Sequence, residues 1–476
     1  MSTSVKRPVL DNPEFPLPAR PKISTGRLVL GCLGVAVITL IAAVALPWII
    51  WNRQAAARLD AAIKRVKSRG EPLTTAEINE FYQPAKGRPD MTKELMAALA
   101  ICEAASKAPG VPALPIVGQG AEPPPRGQEW RQLAEVEKYL AGQQQALDTF
   151  HEFTRRDAAA RFPVDFTPGI GAVLPETQRM RQGARALSLQ FHVHRHQGEI
   201  TEATSCIIAQ IGMARALDDE PTLISQLVRI AITGVALAEA QQLVREAEVS
   251  DADLRRLQSA LRKISTTGSL KQALVGERAF AYSACLDPKQ MADAGEMLQT
   301  GMPRELAERQ PRRVLDASLM LELNLRISEG ADQSLFKAWE EARATEDEIH
   351  TLAGTLSGRL YYTYTLLLSP AYSQTVSAFA RSAAERDSAD AAIAAELYRR
   401  QHGKWPAKLD DLVSEFLPTV PIDPFTNRPL VMIAGAESCK IYSVGLDGVD
   451  HGGNLTSDQK PGTDLGFEMP SGKKMP

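Results

Sequence analysis

The sequence predicts a mainly α-helical protein with a single transmembrane helix, a helical-hairpin extracytoplasmic domain and a small α+β module at the C-terminal end. Three observations carry this reading. Leu28–Trp51 is an apolar run without a charged side chain, Glu129 to about Gln374 repeats apolar residues at spacings of three and four, and from Leu397 onward the chain turns to Pro/Gly punctuation between short β-type runs. At 476 residues the chain exceeds the ~100–200 residues usual for one domain. Its 54 Lys and Arg against 57 Asp and Glu leave a net charge of −3, so there is no broad basic field and nucleic acid is not an expected partner.

Residues 1–27 hold Pro8, Pro13, Pro16, Pro18 and Pro21; this density of prolines denies the tail a helix and predicts a disordered cytoplasmic segment. Residues 28–51, LVLGCLGVAVITLIAAVALPWIIW, are long enough to cross a hydrocarbon core of roughly 30 Å. Trp48 and Trp51 fall at the far end, where indoles favour the interface, and Arg27 and Arg53 bracket the span. The run exceeds the ~7–15 residues of a signal-peptide core, so it reads as an uncleaved anchor. Basic residues flank it on both sides and do not set the orientation by themselves. A first apolar segment behind a short basic tail acts as a signal anchor, which places 52–476 outside the cytoplasm on the inner (cytoplasmic) membrane. The apolar stretch Leu360–Leu368 is too short for a return crossing and reads as a buried helix.

Residues 52–372 form the expected helical domain. Asn52–Arg69 reads as a helical stalk, Thr74 and Glu77 as a capping box opening a helix through Phe81, and 108–126, APGVPALPIVGQGAEPPPR, as a Pro/Gly linker. In Glu202–Arg245, Leu223, Leu227, Ile230, Gly234 and Leu237 mark one face and Ile224, Val228, Ala231 and Val235 an adjacent one. A stripe this wide implies a helix packed between neighbours. Ser250 and Asp253 cap a further helix, and breaks at Gln197–Gly198 and Asp218–Pro221 divide the region into helical hairpins of repeat-like appearance without a fixed period. Cys102, Cys206, Cys285 and Cys439 show no CxxC spacing, so no zinc site is indicated and their pairing stays open.

Residues 373–476 form the terminal module. A helix from about Ser373 to His402 ends at Gly403, a natural C′ residue, and Trp405–Pro406 closes it. Lys408–Phe416 reads as a short helix, Pro418, Pro421 and Pro424 hold an extended segment, and Leu430–Ala434, Lys440–Val444 and Asp464–Phe467 read as strands. Tyr398, Gly403, Pro406, Leu409 and Leu412, then Pro421, Asp423, Pro424 and Pro429 in a D-P-x-x-x-x-P-L turn, then Tyr442, Ser443, Gly445, Asp447, Gly448, Gly452, Gly453 and Asp464 follow one another in an order that resembles the C-terminal half of the type II secretion major pseudopilin. That family begins with a processed leader and an apolar helix bearing an early glutamate, whereas this span contains no Glu and no Gly-Phe junction. An ordinary filament subunit is therefore not expected. The whole layout, with GEPLT at Gly70–Thr74, is similar to large membrane-anchored proteins of planctomycete-type bacteria, which implies an architecture and no reaction.

The acidic loop Gly445–Asp464 holds Asp447, Asp450, Asp458 and Asp464 among glycines. Hard oxygen ligands on a permissive backbone suit Ca²⁺, and the pseudopilin resemblance implies structural calcium, with Asp447 and Asp464 matching best. The loop lacks the Glu of an EF-hand, so a solvated acidic turn is the alternative. His192, His194 and His196 place two imidazoles at i, i+4 without a visible third ligand, a pattern that more often marks a wet helix face than a metal site. Pro168–Gly171 lacks the Lys-Ser/Thr of a phosphate loop, and no G-x-S-x-G elbow or HExxH occurs. The expected function is a structural or protein-interaction role in the cell envelope with an envelope protein as partner. An accessory component of a type II secretion or pilus-like system, and a hydrolase or metal enzyme hidden in the helical domain, are the alternatives.

Overall fold

A computed structural model describes residues 25–83, 87–287, 313–369, 371–455 and 462–471. Most of the tail expected to be disordered, residues 1–24, lies outside the described residues, as does Asp458. The chain divides into two compact units, 1–55 and 56–476. In the first, α1 (Thr25–Ser68) contains the whole apolar run as helix, with Leu46, Ile49 and Ile50 exposed. Its last part belongs to the second unit. There, the expected stalk is instead part of a core: Ala62 and Val66 are buried with Tyr282, Leu321 and Leu325, and Arg65 bonds Glu329 at 2.6 Å and Glu322 at 2.9 Å.

The second unit is mainly helical with a small sheet. After α2 (Thr75–Phe81) and α3 (Thr92–Ser106) come α4 (Leu133–Ala141), α5 (Gln144–Arg155), α6 (Pro175–Gln197), α7 (Ile200–Arg215), α8 (Leu223–Glu246), α9 (Asp251–Arg262) and α10 (Thr266–Leu286). Beyond the segment outside the described residues follow α11 (Arg313–Gln333), α12 (Leu335–Gly354), α13 (Leu356–Tyr361), α14 (Thr363–Leu368) and α15 (Tyr372–His402). Local chemistry sets many of the boundaries. The Thr74 hydroxyl accepts from Glu77 N at 3.3 Å while the Glu77 carboxylate accepts from Leu73 N at 2.6 Å, and Ser250 accepts from Asp253 N at 3.1 Å; each pair satisfies donors that a helix start leaves open. Gly198 and Gly403 end α6 and α15 in the left-handed region.

Two large cores result. In one, Leu99, Phe150, Phe153, Leu187 and Met213 join α3, α5, α6 and α7. The other joins α7, α8, α9 and α15 to the terminal sheet through Ile207, Leu243, Leu257, Ile393, Ile441 and Phe467. The sheet is antiparallel in the order β1 (Val431–Ala434), β2 (Ser438–Ser443), β3 (Leu465–Pro470), with Cys439 opposite Met469 and Ile441 opposite Phe467. Those four side chains are buried in the same core as Ala391, Ala392, Ala394 and Ala395 of α15. Alanine on the helix leaves room for the larger side chains of the strands, as close packing requires. The outer edge of β3 is closed by one side chain: Gln241 of α8 donates to Glu468 O at 2.7 Å and accepts from Glu468 N at 2.8 Å, as a neighbouring strand would.

Several elements depart from their sequence expectations. Among the described residues, α8 is long and apolar enough to cross a membrane, yet more than half of it is buried inside the second unit. Its inward face carries Gln226, Arg229 and Glu239 beside Val228, Ile232 and Ala236, while Ile224, Leu227 and Val235 are exposed. Polar groups win the interior because neighbours pair them: Arg229 bonds Asp218 at 2.7 Å and Gln226 donates to Leu217 O at 2.7 Å. Leu360–Leu368 is two short helices in which Tyr364 and Thr365 are buried and Leu360 is exposed. The Asp316 carboxylate fixes this break by accepting from the main chain at Tyr364 and Thr365 at 2.6 and 2.7 Å. The helix expected over Lys408–Phe416 contracts to a 3₁₀ turn, Leu409–Leu412. All four cysteines outside α1 are buried thiols.

Candidate functional site

The acidic loop is positioned by the turns that lead to it. Gly403 N donates to Arg399 O at 2.8 Å, and the Arg399 guanidinium lies 5.2 Å from the Trp405 ring centre, holding the chain as it leaves α15. Asp423, 1% exposed, is the hub of the following turn. Its carboxylate accepts from Phe425 N at 2.8 Å and from Val444 N at 3.1 Å. Its backbone N–H donates to Arg428 O at 2.7 Å, and its carbonyl accepts from Asn427 N at 2.9 Å. The Asp-Pro turn is thus tied to the end of β2, where the loop begins.

Within the loop each described carboxylate holds local partners. Asp450 accepts from the Tyr442 hydroxyl and from Gly452 N, both at 2.8 Å. Asp464 accepts from Gly453 N at 2.8 Å and His451 N at 3.3 Å. Asp447 accepts from Val449 N at 3.0 Å, and its second oxygen lies 3.0 Å from His451 Nε2. That contact holds the Asp447 carboxyl below its ordinary range and raises the His451 imidazole. Gly452 and Gly453 follow one another at φ 69° and 72°, a left-handed pair that side chains resist, so their amides can turn onto Asp450 and Asp464. Ca²⁺ takes six to eight oxygens. Among the described residues, which leave out Asp458, no three His, Cys, Asp or Glu side chains are grouped to hold a metal, and the described carboxylates take part in a hydrogen-bonded turn.

This arrangement gives an expected outcome for two substitutions. Asp464 is 2% exposed, so Asp464→Ala strands two amides and should cost about 2–3 kcal/mol. Asp447→Ala, at an exposed ion pair, should cost under about 1 kcal/mol. Thermal melts of the full chain measure both. Repeating them with millimolar Ca²⁺ tests the calcium expectation, which requires a rise in melting temperature in the wild type that Asp464→Ala abolishes.

The three histidines of α6 have separate surroundings. Burial pushes the His192 imidazole down to about 3. His194 Nδ1 lies 2.6 Å from Glu199 Oε2, and His196 meets the Trp130 ring edge-on at 5.5 Å. No third ligand joins them among the described residues.

The interior carboxylates escaped sequence reasoning. Glu239 of α8 accepts from the Ser188 hydroxyl of α6 and from Gln210 Nε2 of α7, the latter at 2.6 Å. Glu220 sits by Tyr82 and Ser225, and Glu277 by the Leu223 amide. Burial pushes all three carboxyls up to about 7. A signal existed for Glu239, an acid inside an otherwise apolar face of Ala236, Leu237, Ala240 and Leu243. Its partners, 51 and 29 residues away, were not readable. Compared with protein-family models, curated proteins and solved structures, the chain matches none.

Proposed function

We propose that the chain is a single-pass protein of the inner membrane whose 56–476 unit has a structural or protein-interaction role on the extracytoplasmic side. Helix α1 is the observation that supports this most directly. It is apolar and free of charge from Leu28 to Trp51, and without a break in the helix it continues into Ala56–Ser68, where Ala62, Val66 and Arg65 are built into the compact unit. A span and a folded domain that share one helix make an anchor. The full chain should stay in the membrane pellet after alkaline extraction, and deleting Leu28–Trp51 should release it. Protease added to spheroplasts should digest residues 52–476. Recovery of the intact chain in the soluble fraction, or complete protection, overturns the reading.

An accessory role in a type II secretion or pilus-like system is the second reading. It is favoured by α15 passing through the Gly403 turn into an antiparallel three-stranded sheet that packs back on the same helix, the element order of the pseudopilin-like module. Crosslinking in intact cells decides it: recovery of secretion components with the chain supports the role, and their absence among its neighbours removes it.

A further inference from the structure

We propose that the cavity between α5, α7 and α9 binds a small ligand through a phosphate monoester. The proposal rests on this cavity alone and is independent of the membrane anchor. The cavity has a volume of about 800 Å³, within the ~300–1,000 Å³ typical of small-molecule sites. Arg155, Arg215, Arg255, Arg256 and Lys263 stand in its wall, and no Asp or Glu does.

Carboxylates behind the wall neutralise only part of this charge. Glu152 lies 2.6 Å from Arg155 and also pairs with Arg156, and Asp253 lies 2.8 Å from Arg256. Asp157 is shared, at 2.5 Å from Arg215 and 3.3 Å from Lys263. Asp218 stands 3.6 Å from Arg215, but Arg229 engages it at 2.7 Å. Arg255 has no ion-pair partner among the described residues. Four of the five wall cations therefore share their carboxylates Glu152, Asp253, Asp157 and Asp218, two of these acids also being engaged by Arg156 and Arg229 outside the wall, and Arg255 is left over, so the wall keeps a net positive charge that suits a phosphate monoester dianion.

The chemistry of the wall narrows the ligand further. Guanidinium forks match the oxygens of phosphate in paired hydrogen bonds, a geometry that a lone ammonium does not offer. His151 is the one aromatic ring in the wall, and Gln190 engages it, the His151 Nε2 lying 3.1 Å from Gln190 Oε1; there is no platform for stacking a base. Ile208, Ile211, Ala252 and Ala260 give the cavity an apolar side, suited to an uncharged body behind the anionic head. The floor is preformed. A Cβ at Gly212 would lie 2.0 Å from Thr154 Oγ1, so the glycine lets α5 and α7 close together, and Arg215, 12% exposed at its side chain, is held between Asp157 and Asp218.

The monoester can come from a soluble metabolite or from a lipid headgroup, and calorimetric titration of the detergent-solubilised full chain separates them. Glycerol 3-phosphate and dioctanoyl phosphatidic acid are the two probes, with succinate as a dianion lacking phosphate. Saturable binding of either phosphate probe, weakened by salt, supports the proposal, and the tighter of the two names the source. Arg255→Glu reverses the unpartnered charge on an exposed residue and should weaken binding by at least about tenfold. Lys263→Gln should weaken it in the same direction, and Lys138→Glu, exposed on α4 away from the cavity, should leave it unchanged. The proposal falls if the folded wild type binds neither phosphate probe at low ionic strength, if Arg255→Glu and Lys263→Gln bind as the wild type does, or if succinate binds as tightly as the phosphates.

Discussion

Replacing Glu71 with alanine should lower the unfolding free energy of the 56–476 unit by about 3–5 kcal/mol, the range for stranding a buried charge. The reason lies across the core, at Arg278 of α10. Its side chain has no exposure, its Nη2 donates to Glu71 at 2.7 Å and its Nη1 to Asn324 Oδ1 at 3.4 Å. Burial already lowers the affinity of this guanidinium for its proton, and Glu71 opposes that effect. Without Glu71 the cation stays in a low-dielectric interior with one long amide contact. Urea unfolding of the full chain, followed by circular dichroism, measures the loss, and a change below about 1 kcal/mol would sink the account. Removing both partners, as Glu71→Leu with Arg278→Met, should recover most of the stability, because an apolar pair of similar volume carries no desolvation cost. The GEPLT segment at Gly70–Thr74 thus has a physical role, since its acid neutralises a buried arginine 207 residues away.

Stability should also fall as the pH rises from about 5 to about 8, and Glu239→Gln should flatten part of that fall. The carboxyls of Glu220, Glu239 and Glu277 are pushed up to about 7, and that of Asp316 to about 6, by burial. In the unfolded chain the same groups ionise near ~4–4.5. A folded value above the unfolded one means that the native state holds its proton more tightly. The resulting stabilisation is complete below the unfolded value and is lost as the pH climbs through the folded value. For Glu239 the difference corresponds to about 1–3 kcal/mol between pH 5 and pH 8. Glutamine keeps an acceptor for Gln210, and the Ser188 hydroxyl can rotate to accept from its amide, so the substitution removes the titration and retains the contacts. Denaturant midpoints across this pH range are the measurement; a Glu239→Gln variant that parallels the wild type would show that ionisation of this group does not limit stability. Carboxyls held down by partners, such as Asp157 beside Arg215, act in the opposite sense, and their stabilisation is lost only in stronger acid.

Local signals in the sequence proved reliable where one or two neighbouring residues decide the outcome. The Thr74 and Ser250 caps follow from side chains acting within a few residues, and the Gly198 and Gly403 helix ends from a backbone free of a side chain. What could not be read depends on partners brought together by the fold. The inward face of α8 was misjudged because apolar spacing does not reveal that Arg229 meets Asp218, or that Glu239 meets Ser188 and Gln210. Strand β3 runs three residues beyond its expected end at Phe467, to Pro470, because it stays paired with Ser438–Lys440 of β2, while Gln241 of α8 satisfies the main chain of Glu468 on the other edge. In the acidic loop, residue types suggested an ion, and only the fold shows that Asp450 and Asp464 accept from Tyr442, His451 N and two glycine amides. The cationic cavity had no linear signature at all, since its five charges come from the ends of α5 and α7, from α9 and from the residue after it.

The core that unites Phe191 of α6 with Met469 of β3 has a consequence for the order in which the protein is made. Synthesis proceeds from the N-terminus, so α7, α8 and α9 emerge with Ile207, Leu243, Leu257 and Leu261 still lacking the α15 and strand residues that cover them. Those helices cannot complete their burial until β3 has left the ribosome. A nascent chain stalled before Leu465 would therefore present a broad apolar surface to chaperones and proteases, and β3 serves as the checkpoint that ends this exposure.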